Sequence, residues 1–413
     1  MNRLLLLLAS LFVSIPFAAA DESDTSPEAR WWKGNLHTHS LWSDGDEFPE
    51  MIADWYRERD YNFLAITDHN VLSEGMRWMP MKKVISRSDD KILDRYQQRF
   101  GKQWVQTRGN PSGNDFEVRL KPLDEFRYLL EQNEKFILIP AEEISDKSEG
   151  KPIHINATNL AEAIQPIGGD TVRQTIENNL RAIIEHEKKH GREVLPHLNH
   201  PNFHYAVTAE DLAAAVSERF YEVYNGHPGV NHLGDKDHPS IERIWDLVNA
   251  IRRTSLNVPP IMGIATDDSH EYHGKPGSRP GRGWVMVRSR YLTPEHLIQA
   301  MERGDFYASS GVTLSDVSFD TDARRLSIQI QPDGDTTYTT EFIATLAKSD
   351  NKAEQTDEQR IGRTMATVKG NTATYTMTGK ELYVRAVITS SKPHVDPSFD
   401  DQLQQAWTQP VGW

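Results

Sequence analysis

Cysteine is absent from this sequence. Its absence excludes disulfide bonds, iron–sulfur clusters and zinc sites built from four cysteines. Any metal ion must therefore be bound through nitrogen and oxygen, which favours zinc, manganese, iron or cobalt. Long apolar runs are scarce as well. Beyond the N-terminus, no stretch reaches the roughly 20 apolar residues that a membrane-spanning helix needs, so we expect no membrane partner.

An excess of positive charge is also missing. The chain has 46 Lys and Arg against 60 Asp and Glu, a formal net charge of -14. Non-specific nucleic-acid binding depends on Lys and Arg that neutralise phosphates, so we expect no nucleic-acid partner. The sequence indicates no obligate protein partner either, which leaves a small-molecule substrate. It also lacks a phosphate-binding P-loop and a Ser-His-Asp set, which argues against kinase and serine-hydrolase chemistry.

The N-terminus has the pattern of a secretory signal peptide. Arg3 precedes the apolar run 4–17, and Ala18-Ala19-Ala20 supplies the small residues of a cleavage site. We expect cleavage after Ala20 and a periplasmic or secreted protein, with an uncleaved anchor as the alternative. Cleavage would leave about 390 residues and, because Arg3 is removed, a net charge of -15.

Apolar segments that predict strands alternate with helical patterns from residue 31 to residue 312. The strand segments are 63–66, 136–139, 193–195, 220–223 and 261–264. Apolar residues at helical spacing in 172–184 predict a helix, with Asp170 or Thr171 as its N-cap and Gly191 at its end. Thr293-Pro294 predicts the start of another helix, with proline at the first helical position. This alternation predicts a parallel α/β fold, and the size favours a closed barrel.

Two regions break this rhythm. Residues 76–130 are rich in charge, Gln and Asn, and they predict an insertion over one end of the barrel, with a possible role as a lid. After residue 315, alternating apolar residues in 326–330 and 382–388 predict strands. We therefore expect a main domain over residues 21–314 and a small β domain over residues 315–413.

Histidines and carboxylates follow the predicted strands repeatedly. His37 and His39, with Asp44 nearby, are two residues apart, so on a strand they share one face and can reach one ion. A structural histidine pair is the alternative for this motif alone. Five further segments place the same residue types at or near strand ends: 66–69, 139–143, 152–156, 195–201 and 264–270. The carboxyl ends of parallel barrel strands share one face, so the series predicts a metal site there rather than independent core histidines.

The series HTHS, TDH, AEEI, His154, NHP and DDSH resembles the polymerase and histidinol phosphatase (PHP) superfamily. The motifs NHPNF, FYEVYNGHP, TDDSH, PGRGW and FYASSG resemble its exported branch that includes carbaryl-hydrolase-like proteins. The resemblance covers residues 31–312, with a weaker similarity in 406–410. It implies a distorted (β/α)7 TIM-like barrel followed by the small C-terminal β domain, and a site for two or three divalent ions, Zn, Mn or Fe.

The resemblance also implies three ligand sets. The first set is His37, His39, Glu143 and Asp268. The second is Asp44, His69 and His270, and the third is Glu143, His154 and His200, so that Glu143 bridges two ions. Many family members have His where this chain has Asp44, a change that slightly favours Mn or Fe over Zn.

Four neighbouring residues compete with these ligands. Glu142 is an alternative to Glu143, and His197 is an alternative to His200. Asp68 and Asp267 are more consistent with orienting the histidines beside them than with binding a metal.

Ions held in this way would generate hydroxide at neutral pH and neutralise charge on the attacked centre. We expect Glu143, Asp268 and His270 to be catalytic. Substrate contacts are predicted for the residues Lys275, Arg279, Arg282 and Glu222. The alternatives are that the three cations only hold their loop in place, and that Glu222 positions a ligand or has a structural role. A phosphoesterase is favoured, because the cationic residues suit an anionic substrate. The alternatives are a carbamate or carboxylic ester hydrolase, with Trp78, Trp104 and Tyr272 in an apolar pocket, and a non-catalytic metal- or ligand-binding module.

Overall fold

The structure is a computed structural model, and it describes residues 27–348 and 356–413. The predicted signal peptide, residues 1–20, lies outside these ranges. Within them, no helix combines the length and the apolar character needed to cross a membrane.

Most of the described chain is arranged as strands with helices between them. The strands are β1 (Arg30–Asn35), β2 (Phe63–Ile66), β3 (Arg77–Pro80), β4 (Thr107–Arg108), β5 (Glu117–Leu120), β6 (Ile137–Ser148), β7 (Lys151–Thr158), β8 (Leu195–Leu198), β9 (Phe220–Asn225), β10 (Met262–Thr266), β11 (Trp284–Ser289), β12 (Phe306–Ser309), β13 (Leu314–Asp320), β14 (Arg325–Ile330), β15 (Tyr338–Leu346), β16 (Arg363–Lys369), β17 (Thr372–Thr376), β18 (Glu381–Pro393) and β19 (Leu403–Thr408). The helices are α1 (Pro49–Arg57), α2 (Met81–Arg87), α3 (Ile92–Phe100), α4 (Leu123–Leu130), α5 (Val172–His190), α6 (Ala209–Ala214), α7 (Ile241–Ile251), α8 (Pro294–Glu302) and α9 (Asp357–Arg360), with a π-helical turn at Arg252–Leu256.

Local sequence signals account for the ends of α5 and α8. The Thr171 side chain accepts a hydrogen bond from the first turn of α5, and Gly191 ends that helix in the left-handed conformation, with φ of 60°. Thr293 caps α8 in the same way, with Pro294 at its first position. Both helices confirm the sequence prediction.

The main sheet is mixed rather than parallel. Its strand order is β10-β9-β8-β7-β6-β2-β1-β11-β12-β19-β18-β15-β16. The pairs β1–β2, β2–β6, β8–β9 and β9–β10 are parallel, but β7 is antiparallel to both β6 and β8. The reason is the two-residue link Glu149-Gly150, whose φ angles of 53° and 76° form the kind of turn that joins antiparallel strands.

No ladder of paired strands closes this sheet into a barrel within the described ranges. Strands β1 and β10 are not paired with each other, but the chain segments that follow them are in contact. There the Asp268 N–H donates to the His37 carbonyl at 3.0 Å, and the His39 N–H donates to the Ser269 carbonyl at 2.9 Å. The prediction of an α/β fold is confirmed, but the sheet is mixed rather than parallel, and these backbone contacts are not a strand ladder that closes a barrel. They bring the HxH segment against Asp268.

The C-terminal region continues the main sheet. Strand β19 pairs with β12 on one side and with β18 on the other, while β13, β14 and β17 form a separate three-stranded sheet. The predicted boundary at residues 314/315 falls inside strand β13, and the regions before and after it share strand pairing through β12 and β19. The Arg385 guanidinium also reaches Asp246 of α7 at 2.7 Å, and both side chains are buried.

The predicted insertion, residues 76–130, contains the small sheet β3-β5-β4 together with α2, α3 and α4. Apolar side chains of its sheet and of α2 and α3 form one cluster with Leu41, Trp42 and Phe48, which flank Asp44 in the chain. The insertion is thus packed directly on the segment that follows β1.

Candidate metal centre

Consecutive strands of the main sheet deliver the predicted ligands to one place. His37 and His39 follow β1, and His69 follows β2. Further ligands come from the next strands: Glu143 within β6, His154 within β7, His200 after β8, and Asp268 and His270 after β10. Asn35, at the end of β1, accepts a hydrogen bond from the His37 N–H at 3.1 Å and donates to Asp267 at 2.7 Å. This asparagine fixes the start of the HxH segment against the end of β10.

Four side chains surround one point in the interior. The Nε2 atoms of His37 and His39 are 3.1 Å apart, and Asp268 Oδ1 lies 3.3 Å and 3.2 Å from them. Glu143 completes the set, with Oε1 3.5 Å from His37 Nε2 and Oε2 3.5 Å from His39 Nε2. Ligands about 2.0–2.1 Å from a tetrahedral ion lie about 3.3 Å from one another. The spacings between the two histidines, and from each histidine to the two carboxylates, lie close to this value.

Glu222 sets the orientation of His37. Its Oε1 is 2.7 Å from His37 Nδ1 and also accepts from the Thr266 hydroxyl at 2.7 Å. Its Oε2 accepts from the His200 N–H at 2.7 Å and from Asn225 at 2.8 Å. With Nδ1 as the donor, the lone pair of His37 Nε2 faces the four-residue site. The buried Glu222 carboxylate lies behind His37, which matches the positioning of a ligand, one of the roles that the sequence left open for it.

Asp44, His69 and His270 lie together beside this interior set. Asp44 Oδ1 is 3.5 Å from His270 Nε2, and Asp44 Oδ2 is 3.5 Å from His69 Nε2. Asp44 Oδ1 is also 3.6 Å from His39 Nδ1. His270 Nδ1 is 2.9 Å from the backbone carbonyl of Asp268, which leaves Nε2 to face Asp44. These residues could hold a second ion.

Glu143 links the interior set to a further histidine pair. Its Oε1 is 2.9 Å from His154 Nδ1, and its Oε2 is 2.6 Å from His69 Nδ1. His200 Nε2 is more distant, at 3.7 Å from Glu143 Oε1. The structure therefore groups His69, Glu143 and His154 within reach of one ion, while His200 stands at the edge of the group that the resemblance implied.

The histidines and the carboxylates shift one another's pKa values in opposite directions. Burial alone would raise the pKa of Glu143, but His69, His154 and His37 hold it well below its usual range. Burial would lower the pKa of His69, but Glu143 and Asp44 raise it to about 11. Burial also opposes the charge on His270, whose pKa Asp44 and Asp268 raise to about 9. Without a metal, His69 and His270 therefore favour the protonated form at neutral pH, and metal binding must release those protons. The pKa of His39 is instead lowered to about 3, because burial and the charges of His270 and His69 oppose its protonation.

Backbone strain coincides with the cluster. Asp268 has φ of 47° and His200 has φ of 23°, both in the left-handed region. Residues other than glycine rarely adopt such angles, and they persist where the surroundings enforce them. Here the strained turns direct two polar side chains inward at the ends of β8 and β10.

The four competing residues occupy the periphery of the cluster. Asp68 accepts hydrogen bonds from the N–H groups of Ser40 and Ser43, and so holds the HxH loop. Asp267 accepts from Tyr56 and from Gly281, Arg282 and Gly283. Glu142 turns away from the cluster and accepts from the Ile164 N–H at 2.6 Å. His197 is buried 3.6 Å from Glu222.

The three cationic residues predicted to contact substrate are engaged elsewhere. The Lys275 ammonium donates to the carbonyls of Arg87 and Ser88. Arg279 forms an ion pair with Asp396 of the C-terminal region. Arg282 is buried and donates to the Gly226 carbonyl at 2.6 Å and to Asp396 at 3.1 Å. Their charges fasten the loop after β10 rather than face the cluster.

No protein-family profile and no curated protein matches this sequence. Two solved structures are similar to the fold. A two-domain protein from Bacteroides vulgatus that contains a predicted PHP-like metal-dependent phosphoesterase matches 93% of this chain and 97% of its own, with a TM-score of 0.39 and 14% identity. A candidate metal-dependent phosphoesterase from Bifidobacterium adolescentis matches 67% of this chain and 98% of its own, with a TM-score of 0.33 and 13% identity. Because these TM-scores and sequence identities are low, the two structures carry no argument about activity. The PHP resemblance therefore rests on the motifs of this sequence.

Proposed function

We propose that this protein is a metal-dependent hydrolase that acts on a small-molecule phosphate ester. The observation that carries the proposal is the interior set of His37, His39, Glu143 and Asp268: the two Nε2 atoms are 3.1 Å apart, and each lies 3.2–3.5 Å from an oxygen of both carboxylates. A buried structural network would instead pair each donor with an acceptor. Here two imidazole nitrogens and two carboxylates converge on one point.

The residues fit divalent ions. Glu143 Oε2 and His154 Nδ1 are buried without a hydrogen-bond partner, although each lies close to an atom of opposite character. Unpartnered buried polar atoms are costly unless something absent from the protein chain satisfies them. Nitrogen and carboxylate ligands suit Zn, Mn or Fe. Such ions lower the pKa of water and neutralise charge that develops on the attacked group.

The chain's own residues prepare the site in two ways. The Glu222 carboxylate holds His37 in one orientation, and Asp68 holds the loop that carries His39. The side chains of Asp44 and His69 remain partly exposed, so substrate reaches the cluster from their side. Adjacent ligand groups that share Glu143 suit a phosphoryl group, because several ions can contact its oxygens together.

The other functions predicted from the sequence have less support. Trp104 donates to Glu50, Trp78 stacks with Arg108, and the Tyr272 hydroxyl bonds to Ser269, so these aromatics form no apolar pocket at the cluster. A non-catalytic module would not require ligands from so many strands. Export, the (β/α)7 barrel and the carbaryl-hydrolase-like branch remain part of the proposal on the strength of the N-terminal pattern and the motifs.

Elemental analysis together with hydrolysis assays tests the proposal. The purified protein is analysed for metals and assayed with an aryl phosphate, a phosphodiester and an aryl carbamate, with and without chelator. We expect two or three transition ions per chain and chelator-sensitive hydrolysis of the phosphate ester. His39→Ala should lose metal and activity, whereas the control His296→Ala, on the exposed face of α8, should lose neither. A metal-free protein that Mn or Zn does not activate would overturn the proposal, and a preference for the carbamate would favour the second candidate.

A further inference from the structure

Arg87 is a cation beside the open face of the cluster that motif reasoning did not single out. It is the last residue of α2, within the insertion. Its guanidinium Nη1 donates to the carbonyl of Ser43, the residue before the ligand Asp44. Among the described residues, its other guanidinium N–H groups have no hydrogen-bond partner. A guanidinium offers five donors in a planar fork, so most of its capacity is available.

The backbone at Arg87 is held by the loop that carries His270. The Lys275 ammonium donates to the carbonyls of Arg87 and Ser88, which end α2. Ser43, on the other side, bonds through its hydroxyl to Asp68 at 2.5 Å. The end of α2 is thereby fastened between the segments that supply Asp44 and His270. The backbone of Arg87 is therefore held in place, while its guanidinium makes a single hydrogen bond within the described ranges, to Ser43.

A second guanidinium reinforces the positive charge there. Arg77 Nη1 donates to the Trp42 carbonyl at 2.5 Å, next to the carbonyl that Arg87 uses. Burial and the neighbouring Arg77 lower the pKa of Arg87, while Asp44 and Asp68 raise it. Arg87 is thus within electrostatic reach of Arg77, Asp44 and Asp68. The arrangement costs repulsion between two cations, and a bound anion would relieve that repulsion.

We propose that Arg87, supported by Arg77, binds the terminal phosphate of a phosphomonoester at the Asp44 side of the metal centre. This inference rests on the proposed function and narrows its substrate class. A phosphomonoester dianion presents several oxygens to a guanidinium fork, whereas a neutral carbamate or carboxylic ester offers no charge to it. The insertion would then select the substrate, and Lys275 would act by holding α2 rather than by touching the phosphate.

Binding of inorganic phosphate to the Mn-loaded protein tests this site independently of turnover. We compare wild type, Arg87→Gln, Arg87→Lys and Arg77→Gln by calorimetry. The matched control is Arg108→Gln, an exposed arginine of the same insertion paired with Glu117. We expect Arg87→Gln to weaken phosphate binding about 10–100-fold, Arg77→Gln to weaken it less, Arg87→Lys to retain part of it, and the control to leave it unchanged.

Kinetics with 4-nitrophenyl phosphate and 4-nitrophenyl acetate supply the second measurement. Arg87→Gln should raise KM for the phosphate and leave KM for the neutral ester unchanged, at wild-type metal content. Equal effects on both esters, or unchanged phosphate affinity, would overturn the inference. If Arg87→Gln failed to fold, Arg87→Lys and Arg77→Gln would decide by the same criteria. A wild type that binds phosphate through Arg87 but hydrolyses nothing would overturn the proposed function and keep the binding site.

Discussion

The metal cluster has a closed half and an open half. The side chains of His37 and His39 are 0% exposed, and those of Glu143 and Asp268 are 1% and 7% exposed. Asp44 and His69, by contrast, are 50% and 29% exposed. In the closed half two imidazole nitrogens lie 3.2–3.5 Å from two carboxylates, whereas the ligands of the open half are accessible to solvent. We infer that the closed half retains an ion and that the open half receives the substrate.

The two halves are also supported differently. The closed half is fixed by the main sheet and by a buried shell that includes Glu222, Asn199 and Asn225. The open half depends on loops that the insertion and Lys275 hold in place. Removing one partner from a buried, hydrogen-bonded ligand costs more free energy than removing one from an exposed ligand. Substitutions in the two halves should therefore differ in size and in kind.

The largest effect is expected from Glu143→Gln. The carboxylate lies within 2.6–3.7 Å of nitrogen atoms from five histidines, so an amide would remove a charge from every ligand group it joins. Activity should fall about 1000-fold or more, equivalent to about 4 kcal/mol, with loss of bound metal measured by elemental analysis. Glu142→Gln is the matched control, because its side chain points away from the cluster. Full metal content in Glu143→Gln would show that the ions bind elsewhere.

Glu222→Gln should have the next largest effect. Its two oxygens accept four hydrogen bonds, from His37, Thr266, His200 and Asn225. A glutamine must turn its NH2 group toward two donors, so His37 loses its fixed orientation. We expect metal affinity to fall about 10–100-fold, measured by competition with a chelator. Glu218→Gln, a buried glutamate just before the same strand, should leave affinity unchanged. The same loss in both variants would indicate general destabilisation instead.

Asp44→Ala should affect only the open half. Asp44 contacts His69 and His270, and its contact with the interior set of His37, His39, Glu143 and Asp268 is through His39. We expect loss of one ion per chain with the interior ion retained, and a drop in activity of about 10–100-fold. Asp44→His keeps a ligand and should restore most of the metal. Loss of all metal in Asp44→Ala would show that the two halves are not separable.

Local sequence could predict most of the cluster, because its ligands follow apolar strands at short, regular spacings. His37, His39, His69 and Asp268 each lie within a few residues of a strand end, and strand ends of one sheet meet at one edge. The antiparallel β7 was missed because the turn at Glu149-Gly150 lacks the usual Asn-Gly or Asp-Gly pair. The continuous sheet to the C-terminus was missed because the pairing of β12 with β19 joins residues about 100 positions apart.

The partners of the cationic side chains near the cluster could not be predicted from the sequence. Composition and loop position singled out Lys275, Arg279 and Arg282, yet their partners are a helix end, Asp396 and backbone carbonyls. A charge in a loop near a site does not identify what neutralises it, because that partner is set by tertiary packing. Arg87 lies 44 positions from Ser43, and no local pattern connects them.

The smallest effect on the cluster is expected from Glu50→Gln. This variant tests whether burial without histidine partners shifts the pKa of a carboxylate in the direction opposite to that of Glu143. Glu50 of α1 is buried against the insertion, where its Oε1 accepts from Tyr96 and Trp104. Burial raises its pKa from 4.5 to about 7, opposite to Glu143, because no histidine is in contact with it. The folded protein thus holds the proton more tightly than the unfolded chain does. Stability from this site is complete below about pH 4.5 and falls until about pH 7.

Glu50→Gln cannot ionise and keeps the Oε1 acceptor, so it should escape that fall. Urea unfolding should show the variant more stable than wild type by about 3 kcal/mol at pH 8 and nearly equal to it at pH 4.5. The titrating ligands of the cluster are the same in both proteins, so their contributions cancel in the difference. Metal content and activity should stay at wild-type levels. A stability difference that does not change with pH would show that Glu50 is ionised in the folded protein, and that burial without cationic partners is insufficient to raise a carboxylate pKa here.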